Sequence, residues 1–282
     1  MKQVREIVRI WIEAGDSWSQ DRASRLGAGL AYYSLFALIP VLLLSVSFAG
    51  IFFGRDVAGT TVEEGISDLL GADIASALTK AIDAASSEST NSLLPLVSFG
   101  ALLFSATLLF VAWLEMVAII WDIPKETGII GSLRRRLFGV AAVVGSGLVL
   151  ALVIFAETVV GALDRLISPG ALDVLLKIAG SLVPAMLGAV FLAVLFKLTP
   201  EVKIAWRSVA LAAVTTIAML SIGASAYGVY LGTVGTRSVT GVAGSLFLGL
   251  VLIYYSAQIL LYGVEVSKIS HTHRETVQRS SE

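Results

Sequence analysis

Three acidic side chains lie within apolar stretches, where a carboxylate needs a reason to be. Glu157 sits toward the far end of the apolar block 138–163, Glu115 less than two turns from the end of block 93–121, and Glu265 beside the end of block 242–266. A carboxylate among apolar groups loses its hydration, so it must be protonated, paired or wetted. Such a group can relay protons or cations, or contact a substrate. It can equally snorkel to an interface or hydrogen-bond a neighbouring helix. Glu157 falls in helical register with Gly139, Ser146 and Gly161, which places it on a face of small and polar residues and predicts that it points inward.

Other blocks carry similar stripes. Tyr33 and Pro40 align with Gly29, Ala37 and Ser47; Tyr227 and Tyr230 align with Thr216 and Gly223; Gln258, Tyr262 and Glu265 align with Tyr254. Each set can line a cavity or pathway, although hydroxyl groups in apolar helices more often bond the next helix. Ser181, Ala185, Ala189 and Ala193, and likewise Gly241, Ser245 and Gly249, read as seams where backbones approach closely. Pro40 and Pro184 fall near the middle of blocks one and four. Each frees a carbonyl and predicts a kink. They open the two three-block halves, a placement compatible with an inverted repeat.

Little else in the chain offers chemistry. There is no cysteine, and the only histidines, His271 and His273, lie in the polar tail. No phosphate-binding Gly-Lys-Ser/Thr loop and no Gly-x-Ser-x-Gly elbow occurs. No catalytic residue, metal or cofactor is therefore expected, and the chain is not expected to be an enzyme. The net charge of −1 provides no field to recruit nucleic acid, so none is expected as a partner.

The elements that must position these residues are long apolar helices. Hydrophobic residues make up 56% of the 282 and charged residues 15%, well off the balance of a soluble domain. The excess falls into six blocks, 28–54, 93–121, 138–163, 174–198, 208–231 and 242–266. Each exceeds the roughly 20 residues that cross a bilayer as a helix. The first is too long and too far from the N-terminus for a signal peptide, so it is read as a retained span. The expected fold is all-α: a six-transmembrane-helix bundle, 28–266. An amphipathic segment, 1–27, precedes it and is expected to lie on the membrane surface with Trp11 and Trp18 at headgroup depth. A polar tail, 267–282, follows. Fifteen of the 20 Lys and Arg residues fall on the side of both termini, which places the termini in the cytoplasm. The loop 55–92 is then extracytoplasmic. Val62, Ile66, Leu69, Leu70, Ile74, Leu78 and Ile82 recur at helical spacing opposite an acidic face, predicting an amphipathic helical hairpin divided at Gly71. It either caps the bundle or is a solvated hairpin.

Five stretches resemble one family. LAYYSLFALIP (Leu30–Pro40), AIIW (Ala118–Trp121), LTPEVKIAWR (Leu198–Arg207), AYGVYL (Ala226–Leu231) and LYGVEV (Leu261–Val266) resemble, in order, the YihY/virulence factor BrkB family of bacterial inner-membrane proteins. The family often has an Asn shortly before the Trp that ends span two. Ile119 stands there in this chain, so no role passes to it. The resemblance implies six spans in the inner membrane with cytoplasmic termini, and an association with serum resistance and with envelope or lipid-related phenotypes. The family once carried the label ribonuclease BN. A metal-dependent nuclease needs clustered ligands that this sequence does not show.

The functional expectation is a transporter or lipid-handling protein of the cell envelope. Its partners would be membrane lipid and a small-molecule, ion or lipid substrate, and a homo-oligomer is left open. The alternative is a non-transporting scaffold or envelope assembly factor, with the same stripes packed tightly and no wet cavity.

Overall fold

A computed structural model gives the architecture. It describes residues 2–53, 94–124, 129–166, 171–199, 202–230 and 242–279, with short pieces between 59 and 80. Among the described residues the ordered elements are all helical. They are α1 (Lys2–Gln20), α2 (Ala23–Phe53), α3 (Leu94–Ile120), α4 (Ile129–Leu166), α5 (Ala171–Leu198), α6 (Trp206–Tyr230) and α7 (Val242–Arg279). Each helix from α2 to α6 packs on the next, and α7 closes back onto α2. The stretches Leu133–Leu163, Trp206–Tyr230 and Phe247–Thr276 are long and apolar enough to cross a membrane, and a bent pair in α2, Ala23–Leu38 with Pro40–Val46, is a fourth candidate. Only 28%, 28% and 33% of the apolar windows in the three straight helices is buried. The rest faces outward as large side chains such as Leu148, Ile222 and Val229, far more apolar surface than a soluble monomer tolerates. A lipid solvent accounts for it.

The bend of 47° in α2 falls at the buried Pro40, as the missing N–H of proline predicts. The core is built by close helix approach rather than by large side chains alone. A Cβ on Gly147 would lie 2.8 Å from Leu44 Cβ, and one on Gly139 would lie 3.1 Å from the Thr107 carbonyl oxygen. Phe196 stacks on Trp113 at 5.9 Å, and Trp113 Nε1 donates to Thr199 Oγ1 at 3.0 Å.

Three features add to the expectations. First, α1 does not rest on lipid alone. It packs on α7 with Ile10 and Ala14 buried, Trp11 Nε1 donates to Thr215 Oγ1 at 3.1 Å, and Tyr262 Oη donates to the Trp11 carbonyl at 2.8 Å. Only part of its apolar surface finds protein: Ile10 and Ala14 are buried, while Val8, Trp11 and Ile12 stay exposed. Second, the residues after 266 continue α7 to Arg279, with Ser267 and Ser270 buried. Third, α4 begins at Ile129, ahead of the apolar block 138–163, so Arg134–Arg136, which lie outside that block, are part of the helix.

Of the predicted hairpin 55–92, only short helical pieces are described. Ile66 and Ala75 pack with Leu42 and Leu38, and Val62 also meets Ala151 and Ile154. Gly71, Gly241 and the side chains of Ser47, Ser181 and Ser245 lie outside the described residues.

Candidate functional site

The candidate residues do not converge on one point. Some of them fall into two groups, at opposite ends of the bundle. One end carries the basic run of α4, the start of α2, α4 and α6, and the finish of α3 and α5. The other carries the second half of α6 and the first half of α7.

At that second end α6 and α7 leave between them an open cleft of about 670 Å³. Tyr227 and Tyr230 line it, as their stripe predicts, together with Gly223, Phe247, Tyr255 and Ser256. Glycine at 223 keeps the α6 wall low, since a Cβ there would meet only Ile259 at 3.8 Å. The walls are mostly apolar, and the volume falls within the range of ordinary small-molecule sites. The Tyr227 hydroxyl is buried with no hydrogen-bond partner among the described residues. A buried hydroxyl is costly unless something bonds it. The arrangement suits an acyl chain along the walls with a polar group at the phenols. Sequence reasoning missed Tyr255 and favoured Tyr254, which is partly buried against the core. A one-residue difference on a helix turns a side chain by about 100°.

At the basic end a polar network ties α1, α2 and α3 to α7. Gln258 is buried and its Nε2 donates to the Ser24 carbonyl at 3.0 Å, where α2 approaches so closely that any Cβ on Gly27 would collide with it. Gln258 Oε1 has no hydrogen-bond partner among the described residues. One helical step on, Tyr262 caps Trp11 as described above. Two turns beyond Gln258, Glu265 is fully buried. Asp21, Ser17 and Lys268 are the polar groups that act on it. Among the described residues neither of its oxygens has a partner in full hydrogen-bond geometry, although Ser17 and Asp21 are close enough to act on it. Lys268 Nζ donates to the Ile120 carbonyl at 2.5 Å and to Asp122 Oδ2 at 3.0 Å. Two left-handed residues position these acids: Arg22 (φ 51°) turns the chain after Asp21, and Asp122 (φ 53°) ends α3. Asp tolerates that conformation through its short polar side chain.

Farther out, His273 Nε2 meets Glu13 Oε2 at 2.5 Å, and Arg9 Nε donates to Glu13 Oε1 at 2.7 Å. These bonds, His273 first, hold the Glu13 carboxyl below the usual carboxylate range. Ser270 Oγ donates to Ser208 Oγ at 3.1 Å. Sequence reasoning named Gln258, Tyr262 and Glu265 but not Asp21, Ser17, Asp122 or Lys268. Their partners are far apart in the chain and lie in segments read as aqueous.

The remaining candidates are scattered. Glu157 is exposed on α4 rather than directed inward, and Gly161, Ala162 and Leu163 beyond it are exposed as well, so this end of the helix has little cover on any side. Glu115 is exposed and lines a small pocket of about 90 Å³ with Arg134, Arg135 and Thr199. Tyr33 is half-buried against the core, edge-to-face with Tyr32 at 5.5 Å, and Pro184 is half-buried within α5. Among the described residues no three His, Cys, Asp or Glu side chains cluster as metal ligands would.

No curated protein and no solved structure matches the chain. The model of one protein family, described as virulence factor BrkB, matches residues 14–282, which takes in α1 from its buried Ala14 onward, both groups of polar residues and all six long helices, so the chain belongs to the BrkB virulence-factor family.

Proposed function

We propose that this protein is a six-span, non-enzymatic protein of the bacterial inner membrane that handles a lipid or similar amphiphile of the envelope. The observation that carries the reading is the cleft between α6 and α7, apolar along its walls, bordered by the exposed Phe247 and Tyr255 and supplied with tyrosine hydroxyls. An opening beside those exposed side chains lets a lipid arrive from the bilayer without crossing water. The bias of Lys and Arg supports cytoplasmic termini, so the cleft belongs to the outer half of the membrane.

The test is to fill the cleft. Ala224 lines it, and Ala224→Trp should leave the fold intact while reducing lipid that co-purifies with the protein, measured by native mass spectrometry after mild detergent extraction. Unchanged lipid occupancy in a folded variant would count against the reading. A second reading, a membrane scaffold, is favoured by the tight packing at Gly27, Gly147 and Gly263. It requires that the same variant lose a protein partner and no lipid.

A further inference from the structure

The network at the basic end contains more negative charge than its partners neutralise. Glu265 is 0% exposed, and among the described residues neither of its oxygens has a partner in full hydrogen-bond geometry, with Ser17 and Asp21 close by. The Oδ2 of Asp21 is also buried without a hydrogen-bond partner among the described residues. The charged groups acting on Glu265 are Asp21, from the α1–α2 turn, and Lys268, one turn on in α7. Lys268 is committed to Asp122 at the end of α3 by a bond of 3.0 Å, so its charge already has a counterion. Arg22 and Arg25, beside Asp21, are exposed. Two ionised carboxylates facing one another away from water repel strongly, and one proton held between them removes the repulsion. A metal cation fits less well. Calcium takes six to eight oxygens, and the site offers the side chains of Asp21, Glu265 and Ser17.

We propose that Asp21 and Glu265 form a proton-binding site in which the two carboxyl groups share one proton and so clamp the α1–α2 turn onto α7. Uptake of the proton joins the two acids by a single O–H···O bond, and its loss leaves two facing anions that push the turn away. The site is distinct from the α6–α7 cleft and does not depend on what that cleft binds.

The test is pH-difference infrared spectroscopy on the full-length protein in lipid nanodiscs. Wild type should show the carbonyl band of a protonated carboxylic acid at neutral pH that disappears on alkalinisation. In both Glu265→Gln and Asp21→Asn the neutral-pH band should be lost, or its titration midpoint should move about one pH unit or more toward acid. Absence of a neutral-pH acid band in wild type would overturn the proposal, and that measurement needs no variant. An unchanged midpoint in Asp21→Asn would also overturn it, by showing a lone buried carboxyl. Loss of the wild-type band on adding sodium or calcium at constant pH, with a rise in thermal stability, would overturn it in favour of a metal site.

Discussion

The Glu13 side chain shows how a surface residue can report on helix docking. It joins α1 to α7 through His273, and its carboxyl is held below the usual range by that bond and by Arg9. A depressed carboxylate stabilises the fold above its unfolded pKa, and the stabilisation is lost as pH falls through the lower folded value. Glu13→Gln should therefore lower thermal stability at neutral pH. The expected cost is about 0.2–1 kcal/mol, because the pair is about one-third exposed and solvent-screened. Melting curves of wild type and variant should converge in acid, below the usual carboxylate range; a gap that persists there would show that packing, not charge, holds the contact. Glu157 makes the opposite case. Exposed on α4, it should accept Glu157→Gln with a change within about 0.5 kcal/mol. A large loss of stability in detergent would mean that it has a buried partner. The periodicity of α4 marked a polar face correctly, but a face is only inward where another helix covers it.

At the scale of elements, the positions of the long helices were legible because apolar runs and basic flanks record them directly. The bend at Pro40 was legible for the same reason, since proline acts through its own backbone. The α1–α7 contact was not. It depends on α7 continuing past its apolar stretch, and Lys268, His271 and His273 look like solvent-facing tail residues when read along the chain. The close approaches were also only partly visible. Ala-based seams were read from spacing, whereas the tightest site is Gly263, whose added Cβ would collide with Thr216 Oγ1 and lie 2.9 Å from Phe196 Cζ. Neither neighbour can yield easily. Thr216 is buried and bonded to the Ala212 carbonyl at 2.8 Å, and Phe196 is pinned by Trp113. Gly263→Ala should cost about 1–3 kcal/mol through overpacking, seen as a lower melting temperature. Gly161→Ala, which has nothing within 4 Å of its Cβ, should not. Equal effects from both would contradict the packing described.

For the whole molecule, the helices form a closed set with α7 returning to α2, an outward surface that is largely apolar, and two ends of different chemistry. The six-span reading with cytoplasmic termini expects a cysteine introduced at Ser132 to be labelled only from the cytoplasmic side and one at Ser87 only from the outer side. Labelling of both from one side would require a different topology. The central claim, that the α6–α7 cleft holds a lipid, is tested most directly by site-specific photocrosslinking in intact membranes. A photoreactive amino acid would replace Leu248, which lines the cleft, or Leu182, which is exposed on α5. The expected result is a lipid adduct at position 248 well above that at position 182, reduced when Ala224→Trp fills the cleft. Adducts equal at the two positions, and unaffected by Ala224→Trp, would show that the cleft is ordinary lipid-facing surface and would contradict the claim.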